Sequence, residues 1–209
     1  MRDLPPSDSY RRKFSILLIH DDLLDNFNPA HFNSRFDVHQ MKVNSLAELE
    51  NKRTLLDKMT KRLKPDCIYV HLGAKDFLTR KSGIANAVHR LANHLIDSTR
   101  AKVCFSLLPP SSRNNTINER IDLINNEIHD LVSWKRQTED ICRDRLFTFS
   151  NDPIRHHNTY TPGKGFSLNK KGEKAIWLRL RDGMRKAMRL PRPNLNGQNS
   201  RNPNRFNDG

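Results

Sequence analysis

The chain is most constrained by one short stretch, Ser15-Ile16-Leu17-Leu18-Ile19, which stops abruptly at His20-Asp21-Asp22. An aliphatic run of this kind cannot leave either side in water, so it reads as a strand buried on both faces. Such strands belong to parallel sheets covered by helices, where ligands and chemistry gather at the carboxyl ends of the strands. That end here carries a histidine and two acids, and no Ser, Thr or Cys.

Four more strand-like segments follow. Phe36–Val43 alternates like a strand nearer an edge, and Asp66–Gly73 is apolar almost throughout. Lys102–Leu108 is halted by Pro109-Pro110, and Leu146–Ser150 is the last. Helical stripes lie between them. Ser45 and Glu48 have the spacing of a capping box, opening a predicted helix with Leu46, Leu49, Leu56, Met59 and Leu63 on one face. Ile84, Val88, Leu91 and Leu95 mark a second helix, and Ile117, Ile121, Ile124, Ile128 and Leu131 a third. The final helix is predicted from Asn169 to Arg189, after a polar loop holding His156-His157.

Strands alternating with helices predict an α/β fold, a three-layer α/β/α sandwich around a five-stranded parallel sheet. Right-handed crossovers favour the flavodoxin-like order 2-1-3-4-5. One domain is expected over 14–189, between a flexible basic lead-in, 1–13, and an Asn/Arg/Pro-rich tail, 190–209, expected to be disordered. The switch point then falls between strands 1 and 3, where Asp21, Asp22, Lys75 and Asp76 converge.

These landmarks, in order, resemble the SGNH (GDSL-like) hydrolase superfamily. That family places a Gly-Asp-Ser turn after strand 1, with the Ser as nucleophile; the matching turn here is His20-Asp21-Asp22. Its second block supplies a Gly whose backbone N–H helps hold the oxyanion, and the nearest match is Asn44. Its Gly-x-Asn-Asp block looks like Gly73-Ala74-Lys75-Asp76. Its Asp-x-x-His-Leu-Asn block looks like Lys164-Gly165-Phe166-Ser167-Leu168-Asn169. Asp21, Gly73, Asp76, Leu168 and Asn169 match the family pattern. The departures, Asp22, Asn44, Lys75, Lys164 and Ser167, fall at the positions of nucleophile, oxyanion donors, acid and base. Acyl transfer needs an activated hydroxyl, a base and donors facing the oxyanion, so the resemblance implies a degenerate member without ordinary esterase activity.

Other chemistry is weighed on the residues. His71, within strand 3, reads as a packed, hydrogen-bonded histidine rather than a base, while His20 and the His156-His157 pair could reach the cleft. Asp22 as a carboxylate nucleophile would suit glycosyl or phosphoryl transfer. Asp21, Asp22 and Asp76 offer oxygen ligands to a divalent cation, but Lys75 and Lys164 beside them argue against one. No metal or other cofactor is expected. Asp22 is instead expected to pair with Lys75 or Lys164, turning the cleft into a buried ionic plug. A phospho-receiver domain shares the sheet order and the acidic pair, but His71 occupies its acceptor position and its Lys after strand 5 is missing.

Charge suggests the partner. The 37 Lys and Arg outweigh the 23 Asp and Glu, a net +14, of which residues 14–189 carry +10. Such a surface attracts polyanions, of which RNA or single-stranded nucleic acid is the first expectation. Candidate contacts are Lys52, Arg53, Lys58, Lys61 and Arg62 on the helix before strand 3, and Arg80-Lys81. The last helix adds Lys170, Lys171, Lys174, Arg179, Arg181, Arg185, Lys186 and Arg189. Arg192, Arg201, Arg205 and Phe206 extend the series into the tail. The OSK domain of Oskar resembles this case, as an SGNH-type fold that lacks its catalytic residues and binds RNA, and SGNH-like domains also occur in proteins encoded by metazoan retroelements. A residual or altered hydrolase using His156, and a protein-interaction scaffold, remain as alternatives. Cys67, Cys104 and Cys142 read as reduced, packed thiols, and no stretch resembles a signal peptide or membrane span, so an intracellular, cytoplasmic or nuclear protein is expected with no membrane partner.

Overall fold

Side chains alternate across β1 (Phe14–His20), sending Ile16 and Leu18 to one face of the sheet and Leu17 and Ile19 to the other. All four are fully buried. Each contributes about 2 kcal/mol of hydrophobic stabilisation, which is why this segment holds the sheet's interior. The computed structural model describes residues 13–25, 28, 35–79, 83–111, 115–151, 159 and 168–190. The lead-in before Lys13 and the tail after Leu190 lie outside them.

β1 is flanked by β2 (Phe36–Lys42) and β3 (Cys67–His71), followed by β4 (Lys102–Ser106) and β5 (Leu146–Phe149). All neighbours are parallel, and the order is 2-1-3-4-5, as the sequence predicts. β2 is the partly exposed edge that its alternation implies, whereas β3 is buried throughout.

One face is covered by α1 (Leu46–Asn51), α2 (Arg53–Leu63), α4 (Ile84–Ser98) and α5 (Asn115–Thr138). The other is covered by α7 (Lys170–Ala187), through Ile176, Leu180 and Met184. α7 comes close enough that a Cβ on Gly183 would lie 2.9 Å from the Tyr69 hydroxyl. Two short helices, α3 (Ala74–Thr79) and α6 (Asp140–Arg143), were not marked by any apolar stripe. The helix expected over 46–63 is two helices. The backbone turns at Lys52, so that α1 packs on α4 while α2 packs on β1.

Arg145, just before β5, ties the layers together. Its guanidinium donates to the carbonyls of Ile96, Thr99 and Ala101, satisfying acceptors that the end of α4 leaves open. Arg145→Met removes these charge-assisted bonds and is expected to cost about 2 kcal/mol in urea unfolding. An unchanged midpoint would show that the clamp contributes nothing.

Candidate functional site

The carboxyl ends of β1 and β3 form the switch point. Asp21 caps the 3-10 turn Asp22–Leu24: its Oδ1 accepts the Leu23 N–H at 3.1 Å. The side chain is buried, and burial above all, aided by the charges of Asp22 and Asp76, raises its pKa to about 7. Asp76 is also buried, and its Oδ2 accepts the Leu46 N–H at 2.8 Å, holding the start of α1 against the β3–α3 turn. Gly73 opens that turn at φ +115°, and a Cβ there would sit 2.8 Å from Leu108 Cδ2. The three positions that match the family pattern at this edge therefore cap, tie and turn the backbone.

The departing positions behave differently from the expected plug. Asp22 is exposed, and its Oδ1 meets Lys42 Nζ at 3.1 Å; Asp25 meets the same ammonium at 2.6 Å. These two carboxylates raise the Lys42 pKa. Lys75 stands exposed on α3 and is not the partner of Asp22. Lys164 and Ser167 lie outside the described residues. The buried plug is thus replaced by a solvated pair with a residue of β2, which sequence reading missed. Its only signal was the end of an edge strand that parallel pairing sets beside His20.

Asn44 has a definite job. Its backbone N–H and its Nδ2 both donate to Glu48 Oε2, at 2.7 and 2.9 Å. Ser45 Oγ accepts the Glu48 N–H at 3.1 Å, so the predicted capping box forms, but Glu48 reaches back one residue beyond the cap. Lys52 first, and then the Asn44 N–H, hold the Glu48 carboxyl down at about 2. The N–H that the resemblance aligns with an oxyanion donor is thereby bonded to a permanent carboxylate.

A row of polar side chains runs under the edge on the α7 side. His71 Nδ1 lies 2.8 Å from Ser106 Oγ, and Asn151 Nδ2 donates to the same oxygen at 2.8 Å. His20, in register with His71, has Nε2 3.0 Å from Gln40 Oε1. His71 is buried and its pKa falls to about 3, from burial first and His20 second. It is the packed, hydrogen-bonded histidine expected. An imidazole so reluctant to take a proton is a weak base toward the buried Ser106 hydroxyl beside it. Ser106 and Asn151 carried no signal in the sequence. His156 and His157 lie outside the described residues.

The basic candidates divide. Lys58, Lys61 and Arg62 on α2 are exposed, Arg53 is half-buried, and Lys52 Nζ is 2.6 Å from Glu48 Oε1. On α7, Lys170, Lys171, Lys174, Arg179 and Lys186 are exposed, while Arg189 pairs with Asp144 at 2.6 Å. Arg185 is buried and Arg181 half-buried beside Asp182, so neither belongs to an open charged face. Arg80, Lys81 and the tail residues lie outside the described set. α2 and α7 sit on opposite faces of the sheet and do not make one flat patch. Among the described residues no three His, Cys, Asp or Glu gather as metal ligands, and no helix is long and apolar enough to cross a membrane.

The fold is that of the SGNH and GDSL-like esterases. A family 3 carbohydrate esterase from Clostridium thermocellum superposes with a TM-score of 0.64 at 12% identity, covering 85% of this chain and 98% of that one. A GDSL-like lipase from Bacteroides thetaiotaomicron gives 0.62 at 10% identity, over 83% and 88%. The acetylxylan esterase Axe2 from Geobacillus stearothermophilus gives 0.61 at 8% identity, over 86% and 96%. No protein-family model and no curated protein sequence matches this chain.

Two outcomes follow from the crevice. A carboxyl whose pKa is raised on folding binds a proton more tightly in the native state, so Asp21 withdraws stability as pH climbs from about 4 to 7. Asp21→Asn, which can keep the cap, should flatten the fall in urea-unfolding stability between pH 5 and 8; an unaltered slope would contradict the assignment. Because the Asp22–Lys42 pair is solvated, Asp22→Ala and Asp22→Asn should have indistinguishable melting temperatures. A lower value for the alanine variant alone would revive the buried plug.

Proposed function

We propose that this chain is a catalytically inactive SGNH-type domain that binds RNA or single-stranded nucleic acid through its basic surface. The observation that carries the reading is the unbalanced positive charge of the sequence between the two ends of the chain. Residues 14–189 hold a net +10, and lysines and arginines stand exposed on α2 and α7. Phosphate contacts of this type give affinity with little sequence discrimination and a steep dependence on salt. The crevice supports the negative half of the proposal. Position 22 offers a carboxylate, the Asn44 N–H is held by Glu48, and His71 is a poor base.

The structural neighbours are esterases and a lipase, which is consistent with a second reading, a residual or altered esterase. One pair of assays separates the two. A filter-binding titration of wild-type protein with RNA should give tight binding that weakens linearly in log–log form as salt rises. An ester-hydrolysis assay with acetylated sugars should stay at the buffer rate, and a fluorophosphonate probe should label no serine. Labelling of Ser106, or turnover lost on mutating His156, would favour the hydrolase. Salt-independent or undetectable RNA binding would reject the binding module.

A further inference from the structure

Although α2 and α7 lie on opposite faces, both end at the same edge of the sheet, the one at which the strands begin. α2 ends at Leu63 and passes through Lys64-Pro65-Asp66 into β3. The end of α7 is fixed there because Lys102, the first residue of β4, donates from Nζ to the Ala187 carbonyl at 2.5 Å. Arg189 meets Asp144 just before β5. A basic residue precedes or opens every strand: Arg35 for β2, Lys13 for β1, Lys64 for β3, Arg100 and Lys102 for β4, and Arg145 for β5.

Some of these charges have structural work. Lys102 and Arg145 bind carbonyls at helix ends, and Arg189 is ion-paired. Lys13, Lys61, Arg62, Lys64, Arg100 and Lys186 do not: all six are exposed and make no ion pair or side-chain hydrogen bond among the described residues. Of the nearby acids, Asp140 pairs with Arg143, Asp144 with Arg189, Asp37 lies 3.3 Å from His39 Nε2, Asp66 accepts the Ser15 N–H, and Asp97 is exposed beside Arg145. Among the described residues, the opposite edge holds Asp21, Asp22, Asp25, Glu48 and Asp76, with Lys42 and Lys52 paired to three of them.

We infer that the amino-terminal edge of the sheet, not the crevice or the outer face of α7, is the nucleic-acid interface, and that it takes a single phosphodiester strand laid across the five strand starts. This rests on the nucleic-acid reading above and adds where, and in what form, the ligand sits. Neighbouring strands are about 4.8 Å apart, so the five starts span about 19 Å. Sheet twist turns each strand by about 20–25° from the next, so the row of charges sweeps through about 90° over that short span. A single strand can follow such a path. A duplex, stiff over about 150 base pairs, would have to be bent to do so, which favours the single strand.

The experiment compares two charge-matched variants of the full chain. K13Q/K61Q/R62Q/R100Q removes four charges at the strand starts, and K170Q/K171Q/K174Q/R179Q removes four from α7 away from them. Fluorescence anisotropy with oligouridylate and oligothymidylate is read across a salt series, with melting curves to confirm that both variants fold. The first variant should weaken binding on the order of tenfold or more near physiological ionic strength and flatten the log–log salt slope by about 3. The second should shift the slope by less than about one. Equal weakening by the two variants overturns the location and leaves the nucleic-acid reading standing. Failure of wild-type protein to bind either oligonucleotide overturns both. Duplex RNA binding as tightly as the single strand overturns the strand-following geometry, and displacement of the oligonucleotide by polyglutamate at equal charge assigns the edge to an acidic protein instead.

Discussion

Burying both faces of β1 is the constraint on which the rest of the molecule depends. Its four aliphatic side chains are divided between two cores, one under α1, α2, α4 and α5 and the other under α7. A strand in that position must have partners on both sides, which β2 and β3 supply in parallel register. Parallel pairing in turn forces every connection across a face of the sheet, and so sends all strand beginnings to one edge and all strand ends to the other. The separation of the crevice from the edge at which the strands begin is a direct result.

The layers and strand order were legible because they depend on periodicity, which local sequence carries. Ile84, Val88, Leu91 and Leu95 marked α4, and all four are buried. What local sequence did not carry was the identity of partners across the sheet. Lys42 sits at the exposed end of an edge strand with nothing in its surroundings to connect it to Asp22, and only the β1–β2 register brings them together. Ser106 and Asn151 converge on His71 for the same reason, from segments 35 and 80 residues away. The break at Lys52 escaped notice because no Pro or Gly marks it: it follows from α1 and α2 needing different surfaces to pack on.

The resemblance to SGNH hydrolases was legible in a similarly uneven way. Asp21, Gly73 and Asp76 stand where that family has Asp, Gly and Asp, and each has a backbone task here that any protein of this fold would need done. Their presence is therefore a statement about folding. Of the positions where that family places its chemistry, Asp22 is solvated and paired with Lys42, Lys75 is exposed, and the Asn44 N–H is held by Glu48.

The bond from Asn44 to Glu48 makes one carboxylate serve two places at once. Glu48 belongs to the machinery that starts α1, and Lys52 and the Asn44 N–H hold its carboxyl low. The amide that precedes the helix cap is therefore already occupied, and its acceptor carries a charge. A substitution at Glu48 would be felt twice, in the first turn of α1 and in the electrostatic face that the neighbouring loop turns to solvent.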